Sequence, residues 1–290
     1  EKLKAILEIY QKFTGDDPRQ IPMKIFPAVH YTMGGAWVDW PAADDQDREE
    51  RYRQMTNLRG CFVVGEADYQ YHGANRLGAN ALLSCIFSGL VAGHEVPRYL
   101  DSLNSSYREI SEKVFEQPLA QEEALKKELL SRNGPENIHC LHEELSDWMV
   151  KYVTVRRENH HLQKTLAKIF ELKERYKKIS LDDHTKFANQ TYAFANQFGP
   201  MLELAAVITK GALLRNEFRG AHFKPDYPKR DDQNWLKTTI ANFSSINAEP
   251  QISYKEVDLR HLDPIQRDYT HAKKIQPTLK NIPANIRLLI

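Results

Sequence analysis

Leu162, Leu166, Ile169, Leu172 and Tyr176 follow one another at steps of four, three, three and four residues, which draws one apolar stripe along a helix. No other pattern in the chain constrains the fold as much, because such a stripe is stable only when neighbouring helices cover it. Residues 184–214 read as a partner, with Phe187, Tyr192, Phe194, Phe198, Leu202, Ala205, Ala206 and Leu213 crowding more than one face. From about Val96 onward, charged long side chains dominate and β-branched residues are few, so residues 96–230 are expected to form a helical domain. Pro225 and Pro228 close it, "QISYKEV" (251–257) reads as extended, and residues 231–290 are expected to form an extended tail. There is no internal repeat.

Residues 1–95 have a different character. Leu3, Ile6, Leu7, Tyr10 and Phe13 recur at helical spacing up to "TGDDP", which predicts an amphipathic helix over residues 2–14. "MKIF" (23–26) and "AWVDW" (36–40) read as short strands on either side of Gly34 and Gly35, and "DDQDREERYR" (44–53) reads as a solvated surface insertion. "CFVVGEA" (61–67) has the signal of a buried strand ending on a glycine and an acid. The glycine-rich "HGANRLG" (72–78) follows, and residues 80–92 then read as a buried helix with Cys85 in the core. The fold class expected is therefore α/β followed by α, mostly helical overall.

Composition excludes several classes of partner. Forty Lys and Arg against thirty-nine Asp and Glu leave a net charge of +1, too little to recruit nucleic acid or an anionic membrane by field alone. Cys61, Cys85 and Cys140 are too few for a disulfide framework or a four-thiolate metal site. The apolar run Ala81–Gly93 falls short of the roughly 20 residues that a membrane-spanning helix needs, so no direct span is expected. His139, Cys140 and His142 lack a fourth ligand and an HExxH arrangement, and no metal site is assigned to them. The chain begins at Glu1 without a signal-peptide pattern, and its amino terminus is expected to lie upstream.

The chemistry-bearing residues lie at two glycine clusters, "HYTMGG" (30–35) and "HGANRLGANALL" (72–83). A helix amino terminus presents unpaired N–H groups and a partial positive charge, so the helix starting near Gly78 can stabilise an anion such as a reduced flavin. Glu66, at the end of its strand, can accept hydrogen bonds from sugar or ribityl hydroxyls. Arg76 is permanently charged and its planar fork fits a carboxylate, so in this tight loop it either pairs with an internal acid or awaits an anionic ligand. His30 offers a second donor. For His72, a ligand-binding role and that of a satisfied turn residue stand equally.

"PAVHYTMGG" (27–35), "VVGEAD" (63–68), "HGANRLGANALL" (72–83), "HEELSDWMVKYVTVRREN" (142–159) and "RNEFRGAHFKPDYPKRDD" (215–232) resemble the flavoprotein subunit of succinate dehydrogenase and fumarate reductase, in its Gram-positive form. The likeness covers nearly the entire chain. It implies FAD as cofactor, with the dicarboxylate substrate bound by His30 and Arg76 and the flavin contacted by Glu66 and by the backbone of Asn80, Ala81 and Leu82. No GxGxxG fingerprint occurs, so the resemblance is to the carboxy-terminal portion: residues 1–95 would hold the end of a capping segment and the last part of a Rossmann-like FAD-binding domain. The proton-shuttle arginine of the family is then expected upstream, and no catalytic residue is assigned within this chain. Ala81 and Phe218 stand where the family often has serine, and the RGAH segment around Phe218 reads as a structural or subunit-contact region. An iron–sulfur subunit, a membrane anchor and the cytoplasmic face of a bacterial membrane follow from the resemblance alone. Fumarate reductase, L-aspartate oxidase and a non-catalytic docking fragment are the alternatives.

Overall fold

The computed structural model describes residues 3–24, 29–243, 249–260 and 262–265. Its helices are α1 (Lys4–Thr14), α2 (Asn80–Asp101), α3 (Lys113–Ser131), α4 (Ile138–Tyr152), α5 (Asn159–Tyr176), α6 (Gln190–Leu214) and the single turn α7 (Asp232–Trp235). Two short strands, β1 (Glu136–Asn137) and β2 (Ile179–Ser180), pair in parallel, and β3 (Lys237–Asn242) pairs antiparallel with β4 (Gln251–Glu256) from Lys237 opposite Glu256 to Asn242 opposite Gln251. "QISYKEV" is thus extended as expected, while residues 266–290 of the expected tail lie outside the described residues, as do residue 2 of the first helix and Ile25 and Phe26 of "MKIF".

The α5 stripe behaves as its spacing dictates. Leu162, Ile169 and Leu172 are fully buried, and Leu166 and Tyr176 flank them. Leu129 of α3, Leu141 and Leu145 of α4, and Ala195, Phe198, Leu202, Ala205 and Ala206 of α6 close over Ile169 and Leu172. Lys173 is buried beside the stripe because its ammonium reaches Glu203 on α6 at 2.7 Å. The Asn137 side chain accepts from the His139 N–H (2.9 Å) to start α4, and that of Asn189 accepts from the Tyr192 N–H (2.7 Å) to start α6. That cap sets the first turn of α6 after residue 189, so Phe187 stands outside the helix and 87% exposed, contrary to expectation. Arg175 joins Glu136 (2.8 Å) to Glu144 (2.7 Å) and locks β1 against α4 and α5.

Several expectations for residues 1–95 need correction. "AWVDW" and "CFVVGEA" form only isolated bridges, Ala36 to Asp68 and Met55 to Phe62, and Val64 is 41% exposed. A buried strand needs a neighbour on each edge and a layer on each face, and the described residues supply neither. The 80–92 segment is helical, and α2 runs on unbroken to Asp101, but it is not a buried helix. Its polar side chains Ser84, Ser88 and Glu95 face the protein, whereas Leu82, Leu83, Ile86 and Leu90 are exposed. Cys85 is only half-buried. The charged 44–53 segment is more than a solvated insertion: Arg51 binds Asp39 through Nε at 2.7 Å and Asp47 at 3.0 Å, Arg48 pairs with Glu95 of α2, and Tyr52 is buried. No helix among the described residues is long and apolar enough to cross a membrane.

Candidate functional site

The site is built around the amino terminus of α2. Ala79 precedes the helix in a left-handed conformation (φ 65°) and offers no side chain to cap it. The Asn80 N–H donates to the Leu77 carbonyl at 3.3 Å, and the following N–H groups of Ala81 and Leu82 remain as donors, with Leu82 75% exposed.

Two segments are folded against this turn. Gly35 lies so close to the turn at residues 65–67 that a Cβ there would stand 2.3 Å from the Ala67 carbonyl oxygen, and the adjoining Ala36 N–H donates to that oxygen at 2.8 Å. Glu66 Oε1 accepts from the Thr32 N–H at 2.8 Å, which ties "HYTMGG" to the Gly-Glu acid. The Arg76 N–H reaches Met33 Sδ at 3.0 Å, and its guanidinium lies over the Tyr31 ring, 5.4 Å from the centroid, while donating to the Leu77 carbonyl at 3.0 Å. No carboxylate pairs with Arg76 among the described residues.

Ser84, buried on α2, fastens both segments to the helix. Its hydroxyl lies 3.1 Å from the Tyr31 hydroxyl and 3.1 Å from His72 Nε2, and donates to the Ala81 carbonyl at 2.8 Å. Burial, reinforced by the charge of Arg76, holds the His72 imidazole below its ordinary pKa, and its ring meets Tyr31 edge-on at 5.0 Å. His72 thus has a partner for Nε2 within its own chain. Sequence reasoning missed Ser84, since a serine inside an apolar helix carries no periodic signal.

Behind the arginine loop stands the RGAH segment. The Ala221 N–H donates to the Ala74 carbonyl at 2.9 Å, and Gly220 passes so near that a Cβ would lie 2.4 Å from the same oxygen. Glu217 is fully buried and accepts from Arg215 (2.6 Å), Arg219 (2.7 Å) and the Asp231 N–H (3.1 Å). Arg157 donates to His222 Nδ1 at 2.6 Å and His222 Nε2 donates to the Arg215 carbonyl at 2.8 Å, so the imidazole is neutral. Burial and the Arg157 charge lower its pKa to about 4. Burial, with Arg157 nearby, likewise lowers Lys224 to about 8, its ammonium held by the Leu213 carbonyl (2.8 Å) and Asn216 (3.0 Å). Phe218, the departure noted in this segment, packs on Phe223 with ring centroids 5.5 Å apart.

Of the residues singled out in the sequence, Glu66, Arg76, Asn80, Ala81 and Leu82 are thus drawn to one end of α2. His30 is on the same loop as Tyr31 and Thr32 but exposed, and makes no hydrogen bond or ion pair among the described residues. His139 and His142 both pack their rings on Phe194, at 5.0 and 5.2 Å.

The donors and acceptors present fit one edge of a flavin: open N–H groups at the α2 terminus and, beside them, a carboxylate that has already oriented its loop. Residues 1–82 match the FAD binding domain model, and residues 142–269 match that of the fumarate reductase flavoprotein C-terminal region. The chain is 51% identical to the succinate dehydrogenase flavoprotein subunit of Bacillus subtilis over 94% of its own length and 44% of that protein's. To the fumarate reductase flavoprotein subunit of Haemophilus influenzae it is 34% identical, over 93% of this chain and 42% of the relative. Its fold superimposes on Escherichia coli quinol fumarate reductase with a TM-score of 0.77 and 30% identity, covering 92% of this chain and 43% of that one. The chain spans less than half the length of the curated relatives it matches.

Proposed function

The chain belongs to the succinate dehydrogenase and fumarate reductase flavoprotein family, whose cofactor is FAD, and from that premise we propose that it is the carboxy-terminal part of a succinate dehydrogenase flavoprotein subunit. Residues 1–95 contribute the end of the capping segment and the last part of the FAD-binding domain, 96–230 the helical domain and 231–290 the extended region. The 51% identity to a succinate dehydrogenase subunit, against 34% to a fumarate reductase subunit, supports succinate oxidation as the direction.

One observation carries the reading: Arg76, a permanent cation without a carboxylate partner among the described residues, is braced by Tyr31 and Met33 beside the open end of α2. A dicarboxylate brings the missing charge. Arg76 and His30 clamp its two ends, and the clamp fixes the methylene carbons in one orientation, which is how binding energy lowers a bimolecular barrier. Glu66 and the backbone of Asn80, Ala81 and Leu82 hold the flavin edge. FAD, when bound, supplies the two-electron acceptor. No proton-transfer role is assigned to the residues of this chain. The exposed apolar flank of α2 (Leu82, Leu83, Ile86 and Leu90) supports action as part of a larger flavoprotein body; an iron–sulfur subunit and a membrane anchor at the cytoplasmic face are the partners proposed with it.

The test is Arg76→Ala in the full-length flavoprotein, assayed for succinate oxidation with flavin content read by absorbance. Loss of a charge-assisted clamp is expected to lower kcat/KM by at least about 100-fold, with FAD still bound and Arg76→Lys partly active. Full activity without Arg76 would sink the assignment.

A further inference from the structure

The turn leading into α5 gathers three ligand-type side chains that the sequence reading passed over. Glu158, His160 and His161 each place one donor atom within 4.8 Å of the other two. Glu158 Oε2 lies 3.4 Å from Nδ1 of His161 and 3.8 Å from Nδ1 of His160. Around a tetrahedral ion with bonds of about 2.0–2.2 Å, neighbouring donors stand roughly 3.3–3.6 Å apart. Each imidazole therefore stands close to the spacing of a coordination shell from the shared carboxylate oxygen.

Two contacts outside the triad hold this arrangement. Arg156 occupies the other carboxylate oxygen, with Nε 2.9 Å and Nη2 2.8 Å from Glu158 Oε1, so Oε2 is the oxygen left to face both rings. His161 stacks on Tyr152 at the end of α4, with centroids 4.5 Å apart and planes at 28°, and His160 lies 3.8 Å from His161, centroid to centroid. Metal-binding carboxylates are commonly oriented by such outer partners.

We propose that Glu158, His160 and His161 form a surface site for a borderline divalent cation, Zn2+ foremost, with water completing the shell. Two imidazoles and one carboxylate suit Zn2+ or Cu2+ and do not suit Mg2+ or Ca2+, which take oxygen donors. Exposure of His160 and the positive end of α5 weaken the site. The site stands at the first turn of α5, where His161 already stacks on Tyr152 at the end of α4. The proposal does not depend on the flavoprotein reading.

The test is calorimetric titration of the full untagged chain with Zn2+ at pH 7.5, followed by Co2+ substitution read by visible absorption. One ion per chain and tetrahedral Co2+ bands are expected, with affinity at least tenfold weaker in either His160→Ala or His161→Ala and lost in the double variant. Glu158→Gln weakens binding with both imidazoles intact, and far-ultraviolet circular dichroism shows that each variant is folded. Absence of binding up to 100-fold excess Zn2+, or equal uptake by the double variant, would overturn the proposal.

Discussion

Replacing Gly220 by alanine tests whether the RGAH segment holds the arginine loop in place. Gly220 has φ +57°, and a non-glycine residue there costs roughly 1–2 kcal/mol. The added Cβ would also stand 2.4 Å from the Ala74 carbonyl oxygen and 2.8 Å from the Asn75 Cβ. Relief means moving two backbone segments apart by about 1 Å, which breaks the hydrogen bond from Ala221 to Ala74, worth about 1 kcal/mol net. The sum is a loss of about 2–3 kcal/mol. Gly73→Ala is the control, because Gly73 has a similar φ of +55° with nothing within 4 Å of the new Cβ, and so suffers only the backbone term. Urea unfolding of both variants, with hydrogen exchange at residues 72–78 and 221, separates the two contributions. If Gly220→Ala is no more destabilising than Gly73→Ala and the Ala221 amide stays protected, the close approach does not support the loop and the reasoning is wrong.

Glu217→Ala removes the only carboxylate that reaches both Arg215 and Arg219 among the described residues, leaving two largely buried guanidinium groups under-neutralised. A loss of about 3–5 kcal/mol is expected in denaturant titration, and a midpoint equal to that of the parent chain would refute it. Stability against pH follows from His222: the native imidazole, held at about 4, binds fewer protons than the unfolded one between pH 4 and 6.5. Its contribution is complete above pH 6.5 and is lost as pH falls towards 4, about 3 kcal/mol in all. Lys224, held at about 8, acts on the alkaline side, where stability rises between pH 8 and 10.5 as the unfolded lysine alone remains charged. Urea midpoints across this range check both limbs, and an acid limb left unchanged by His222→Asn would rule out the imidazole as its source.

The helical half was legible because its signal is local. The spacing of Leu162, Ile169 and Leu172 states which face needs covering, and α3, α4 and α6 are present to cover it. In α2 the same kind of signal pointed the wrong way. Its apolar residues marked a buried helix, yet the face turned inward is Ser84, Ser88 and Glu95, each satisfied by a specific partner: Tyr31 and His72, the Gly65 N–H at 2.7 Å, and Arg48. Apolar patterning reports that a surface will be covered by something, and it cannot say whether the cover lies among the residues at hand. The charged 44–53 segment failed for a related reason: Arg51 and Arg48 find acids at positions 39 and 95, which no local window connects.

The candidate site differs from both cases. Its residue types were readable one by one, since glycines, an arginine and a Gly-Glu pair each have a narrow range of uses, but the contacts that make them a site join residues 43 and 53 apart in sequence, from Arg76 to Met33 and from Tyr31 to Ser84. Those contacts converge on one electrostatic condition. The α2 terminus contributes partial positive charge, Arg76 a full one, and the nearby acid Glu66 has one oxygen already engaged by the Thr32 N–H. A semi-buried cation set over the Tyr31 ring, whose guanidinium donates to the neutral Leu77 carbonyl and meets no carboxylate among the described residues, gains little from its own chain. On the function proposed above, an entering anion supplies the missing charge, and a ligand with two carboxylates lets Arg76 and the exposed His30 each act on a different end. That is why Arg76→Lys, which keeps the charge and loses the fork, separates charge from geometry: partial activity points to charge, and activity as low as that of Arg76→Ala points to the bidentate fit.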